Sequence, residues 1–241
     1  LKFLLLSNAL MTPNFALAQN SPQVSSNLAD AEYYANWGLD MINALPAYQK
    51  GFTGKGISVA VVDTGFDVNH PEFFGRISPF LYNFGNDQAP DNIFPERKSD
   101  GSLNGHGVHV AGTIGAGRNG FGMQGVAYDA MIMPLRGVEV ASRRNDVSAT
   151  DEAIVYAADH GAQILNGSYG PNTYPNPVIN KRPNPNYQVL DYQLILSEPG
   201  ELEQTYEAMK YAAEKDVVMV FAAGNSRQDQ PGYATSIPSG N

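Results

Sequence analysis

Cysteine is absent from the 241 residues, which excludes disulfides, cysteine-bound metals and a cysteine nucleophile. Basic charge is scarce: 15 lysines and arginines stand against 24 aspartates and glutamates, a formal net charge of −9. Phosphate backbones and anionic membrane surfaces repel such a chain, so it is a poor nucleic-acid or membrane-surface binder. No apolar run approaches the ~20 residues that a membrane-crossing helix needs. No internal repeat is visible, and the 24 glycines and 16 prolines stay below the share at which low-complexity disorder becomes the default. What remains is a chain with 43% apolar residues, long enough for one sizeable core and short for two.

Residues 1–18 read as a secretory signal peptide whose start is missing, since the first residue is Leu1. Lys2 supplies the positive charge, Phe3 to Met11 the short apolar run, and Ala16-Leu17-Ala18 the small-residue cleavage site. An exported protein is expected: periplasmic, cell-surface or secreted. Residues 19–50 read as a polar linker (19–30) and a helical lead-in. In the lead-in Tyr34, Trp37, Leu39, Ile42, Leu45 and Tyr48 recur at roughly helical spacing, which predicts that they pack on the domain. Residues 51–241 form the globular part.

Within it, Ile57 to Val62 is a continuous β-branched run ending at Asp63-Thr64-Gly65, the mark of a strand buried on both faces in a parallel sheet. Further apolar runs occur at Met131 to Leu135, Gln163 to Asn166 and Val217 to Ala222, the first weakened by Pro134. Helical composition lies between them. Asp151 to His160 ends at Gly161, a natural C-cap, and Glu201 to Lys215 sets Leu202, Tyr206, Met209 and Ala213 on one face. Strands alternating with helices predict an α/β fold, a mostly parallel sheet with helices on both faces. In such sheets functional groups gather beyond the carboxyl ends of the strands. Residues 81–104 and 170–200, rich in Asn, Asp and Pro, read as surface loops.

A carboxylate at the end of a buried strand needs a partner. For Asp63 the candidate is in Asn104 to Thr113, where His106 and His109 sit among small residues that open a helix and permit close packing on the sheet. An Asp that holds one imidazole nitrogen leaves the other free as a general base. The third piece is Phe221 to Asn225, whose amide, emerging from a Gly-flanked strand end, is placed to donate to an oxyanion.

These blocks resemble the subtilisin-like serine proteases, or subtilases. The resemblance is carried by GKGISVAVVDTGFDVNHPEF (54–73), NGHGVHVAGTIGA (104–116), GVAYDAMIMPLRG (125–137), ILNGSYG (164–170) and VVMVFAAGN (217–225), in the family's order. It implies a subtilisin-like fold cut short at the C-terminus and proteolysis of protein or peptide substrates, with Asp63 and His106 as triad members and Asn225 as oxyanion donor. It also implies that Ser168-Tyr169-Gly170 pairs with substrate backbone. The start of the chain and the lead-in are similar to the subtilase passenger domains of Gram-negative autotransporters, which would give the parent protein a C-terminal membrane-anchoring barrel.

Two departures stand out. The Thr usual between the two histidines is Val108, and the family's Gly-Thr-Ser nucleophile block is missing. Ser236 stands too close to Asn225 to replace it, so the 241 residues alone are expected to be inert. The alternative is a catalytically dead subtilase-like surface or binding module. His109 is expected to be a packing histidine, His70 a loop residue and His160 a partner for a helix dipole. His106-x-x-His109 lacks third and fourth ligands for a metal. No cofactor is expected; the resemblance admits calcium at Glu72, without a ligand-rich loop to support it. Gly115 to Gly120 matches G-x-G-x-x-G but comes after a helix instead of a strand. Asn166 to Gly170 imitates a nucleophile elbow, but no His comes after Ser168.

Overall fold

The computed structural model describes residues 31–84, 91–95, 97–98, 100–138, 150–169 and 201–222, the side chains of 201–204 excepted. The signal-like residues 1–18, the linker 19–30 and the expected surface loop 170–200 lie outside them, as do residues 85–90, 96 and 99 of the expected loop 81–104. Three short helices come first: α1 (Ala31–Ala35), α2 (Trp37–Met41) and α3 (Leu45–Gln49). After them come β1 (Ser58–Asp63), a 3₁₀ turn (Pro71–Phe73), β2 (Tyr82–Asn83), α4 (His106–Gly115) and β3 (Met131–Arg136). The last described elements are α5 (Thr150–Asp159), β4 (Ile164–Gly167), α6 (Glu201–Glu214) and β5 (Val218–Phe221).

The described strands form one parallel sheet in the order β2-β3-β1-β4-β5. Successive residues of β1 point to opposite faces. Val59 and Val61 join Phe66, Ala111 and Ile132 on the α4 face, while Ala60 and Val62 join Ile154, Ala157, Leu165 and Ala212 on the α5–α6 face. With both faces covered, the strand is apolar throughout, as the sequence predicts. From β1 the chain steps to β3 past α4 on one face; from β3 it crosses to β4 and on to β5 past α5 and α6 on the other. The connections leaving β1 and β4 therefore diverge, and the crevice between these neighbouring strand ends is where a ligand fits.

Pro134 disturbs the sheet less than its residue type suggests. Met131 N–H donates to Ile57 at 2.9 Å, whereas Ile132 N–H donates to Arg76 on the other side at 2.8 Å. Pro134 shares the side of Ile132 and faces the gap between the Ile77–Ile132 bridge and the Tyr82–Leu135 pair. Its missing N–H therefore removes no bond to β1.

The lead-in departs from expectation. Leu39 and Tyr48 are buried and Leu45 half-buried, but Tyr34, Trp37 and Ile42 are exposed, and Tyr33 and Ala44 take their place inside. The lead-in is helical but broken: the Asn36 side chain accepts from Gly38 N–H to start α2, and Asn43 adopts φ +55° after it. Each break turns the helical face. On α6 the buried line runs through Ala208 and Ala212, while Ala213 is exposed. The small residues face α5 because they admit the closest helix approach. Gly161 ends α5 at φ +77°, as a C-cap should.

Candidate active site

Asp63 closes β1 at 1% exposure. Its Oδ1 accepts from Thr64 N–H at 2.7 Å and from the Thr64 hydroxyl at 3.2 Å. The same oxygen lies 2.7 Å from His106 Nδ1. A carboxylate oxygen only accepts, so Nδ1 carries the proton, and in the neutral ring Nε2 keeps its lone pair. The His106 side chain is 51% exposed. A buried carboxylate thus orients an imidazole whose side chain is half-exposed. Asp63 Oδ2 is buried with no hydrogen-bond partner among the described residues.

Two glycines make this approach. A Cβ on Gly107 would collide with the carbonyl oxygen of Gly65 and sit 3.1 Å from Asp63 Cβ. Gly65 itself has φ +143°, and a Cβ there would meet Pro95 Cα at 2.9 Å. The 91–95 segment covers the turn, with Phe66 N–H donating to Ile93 at 2.7 Å. The side chain of Asn104, buried beneath the start of α4, accepts from His106 N–H at 3.4 Å. Thr64 and Gly107 escaped the sequence reading as site residues, although Asp-Thr-Gly and the glycine after the histidine were their signal.

Val108 packs against the apolar cluster of Val59, Val61 and Phe66. The 2.7 Å contact between Asp63 and His106 is made with this valine in place. His109, expected inside, is exposed: it lies three residues beyond His106 and shares its open face. His70 Nδ1 accepts from Glu72 N–H at 3.3 Å and caps the 3₁₀ turn. His160 Nδ1 donates to the Tyr156 carbonyl at 2.8 Å at the end of α5 and stacks on the Tyr156 ring, centroids 3.8 Å apart.

Across the crevice, Ser168 and Tyr169 come directly after β4. Ser168 Oγ accepts from Asn166 Nδ2 at 2.9 Å. The Tyr169 hydroxyl bonds Thr150, and burial raises its pKa above the ordinary phenol value, with the negative charges of Asp151 and Asp63 adding to the shift. Its ring meets Phe221 edge-on at 6.3 Å. The side chain is therefore turned toward α5 and β5. Gly170, Asn225 and Ser236 lie outside the described residues.

At Glu72, where the resemblance admits calcium, the carboxylate oxygens accept from Met123 N–H at 3.0 Å and Asn119 Nδ2 at 3.1 Å. Among the described residues no group of three or more His, Asp or Glu could hold a metal. No described helix is long and apolar enough to cross a membrane. The segment from Gly115 to Gly120 ends α4 and enters a loop, as its setting in the sequence implies.

A model of the subtilase family matches residues 54–240. An extracellular serine protease of Serratia marcescens is 36% identical over 144 residues, 58% of this chain and 12% of that protein. Fervidolysin of Fervidobacterium pennivorans is 33% identical over 198 residues, 80% of this chain and 24% of that protein. The crystal structure of fervidolysin, a keratinolytic enzyme related to subtilisin, superposes with a TM-score of 0.54 at 32% identity, covering 78% of this chain and 24% of that one. The chain thus spans about a quarter or less of the length of these relatives.

Proposed function

The chain belongs to the subtilase family, and from that premise we propose that it is part of an exported serine endopeptidase acting on proteins or peptides. The observation that carries the reading is the 2.7 Å contact between buried Asp63 and half-exposed His106. In this mechanism Asp63 fixes the imidazole tautomer and stabilises the imidazolium that forms. His106 Nε2 removes the proton of a serine hydroxyl as it attacks the scissile carbonyl, then returns it to the leaving amine. Asn225 donates to the oxyanion of the tetrahedral intermediate. Ser168, Tyr169 and Gly170 pair with the substrate backbone along the crevice beside β4.

The nucleophile is proposed to be a serine carried by the parent protein outside these 241 residues, since none within them stands in the family's Gly-Thr-Ser setting. The signal-like order of residues 1–18 and the extracellular relative in Serratia marcescens support export. A membrane-anchoring barrel in the parent belongs to the same proposal and rests on the resemblance of the start of the chain and the lead-in to autotransporter passenger domains.

The test is peptide hydrolysis by the parent protein carrying His106→Ala. The rate kcat is expected to fall by about six orders of magnitude, the loss a triad histidine carries. Hydrolysis at the unaltered rate would remove His106 from the mechanism.

A further inference from the structure

His106 is the first residue of α4, and Gly115 at the far end is the last. That end meets Arg76. Its Nη1 donates to the carbonyl of Gly115, the last residue of α4, and at 2.8 Å to the carbonyl of Tyr128; its Nη2 donates to the carbonyl of Glu72. One half-buried guanidinium thus joins the helix, the segment leading into β3 and the 3₁₀ turn. Carbonyls only accept, and a planar fork of donors serves several of them at once. A cation at a helix C-terminus is favourable besides.

Glu72 holds the loop after α4 through Asn119 and Met123 N–H. Glycines let both side chains come close: a Cβ on Gly117 would lie 2.6 Å from Arg76 Nη2, and one on Gly122 would collide with Glu72 Oε1. Gly117 N–H also donates to the Glu72 carbonyl at 2.9 Å. Neither Arg76 nor Glu72 takes part in the proposed chemistry.

We propose that Arg76, assisted by Glu72, is a positioning residue that fixes the axis of α4 and thereby holds His106 on Asp63. This role rests on the reading of Asp63 and His106 as a catalytic pair.

The test reads His106 directly and needs no hydrolysis. In the proton NMR spectrum of the protein, the His106 Nδ1–H bonded to Asp63 gives a low-field signal, assigned by its disappearance in His106→Ala. Arg76→Met is expected to speed the exchange of that proton with water about tenfold. Arg76→Lys, which keeps the charge without the fork, falls between. Leu165→Ala, which loosens the opposite face of the sheet, should leave exchange within about twofold of the wild type. Where Arg76→Met does not fold, Glu72→Gln carries the same comparison, because it weakens the hold on Asn119 and Met123 without changing shape. Unchanged exchange in the Arg76 and Glu72 variants beside a normal wild-type signal overturns the positioning role alone. Equal acceleration in Leu165→Ala overturns it too, since general loosening would then suffice. A wild-type spectrum lacking the low-field proton overturns the Asp63–His106 reading and this role with it.

Discussion

On one face of the sheet α4 lies against β1 because Gly107 leaves no side chain between them, and hydrogen bonds to Arg76 and Glu72 fasten the far end of the helix and the loop beyond it. On the other face α5 and α6 bury Ala153, Ile154, Ala157, Ala208 and Ala212 against Leu165, with the Lys215–Asp159 pair at the exposed rim. The first arrangement sacrifices apolar area to bring a helix start up to a strand end. The second gathers area and places no group of the Asp63–His106 pair. Both sides bury apolar area, but the placing of the Asp63–His106 pair is concentrated on the α4 side, and the α5–α6 side serves stability alone.

Removing area should therefore unfold without misaligning. Leu165 is fully buried in the middle of β4, and Leu165→Ala should cost about 2–5 kcal/mol in chemical denaturation. The His106 Nδ1–H signal at temperatures where the variant stays folded should match the wild type. A lost signal with the fold intact would break the comparison.

Gly107→Ala is the converse. In an exposed helix such a change would stabilise by roughly 0.5–1 kcal/mol. Here the added methyl meets the Gly65 carbonyl and Asp63, so about 1–3 kcal/mol of destabilisation is expected instead. A misplacement of about 1 Å at His106 lowers parent kcat by about 10²-fold. Hydrolysis and denaturation measured on the same preparation check both numbers. A stabilised, fully active Gly107→Ala would mean that the close approach is dispensable.

The sequence disclosed the two sides unequally. Strand order along the chain, the helix end at Gly161 and the pairing of Asp63 with His106 come from local signals: apolar runs, a C-cap glycine, a carboxylate after a buried strand. The lead-in is helical as its spacing predicts, but Tyr34, Trp37 and Ile42 face outward because Asn36 and Asn43 break it into turned segments. His109 was assigned to the interior, although its three-residue offset from His106 already placed it on the open face. Arg76 was invisible for another reason. Its acceptors are main-chain carbonyls at Glu72, Gly115 and Tyr128, brought together only by the fold, and carbonyls leave no trace in residue types.

The smallest effect belongs to the rim of the stability face. Lys215 Nζ lies 2.7 Å from Asp159 Oδ1, which also accepts from the Tyr211 hydroxyl at 2.6 Å. These bonds hold the Asp159 pKa below the ordinary carboxylate value and raise that of Lys215 to about 12. The signs set the window. Asp159, with its folded value depressed, contributes stability above about pH 4, lost as pH falls through that depressed value. Lys215, with its folded value raised, contributes below about pH 10.4, lost as pH rises through the raised value. The melting temperature of Lys215→Met should therefore lie slightly below the wild type by a constant margin between those limits, and converge with it beyond both. Both side chains are 40% or more exposed, so about 1 M salt should also erase the margin. A loss as large as that of Leu165→Ala would show that ion pairs, and not buried area, fasten α5 to α6, and the contrast between the two faces would fail at this point.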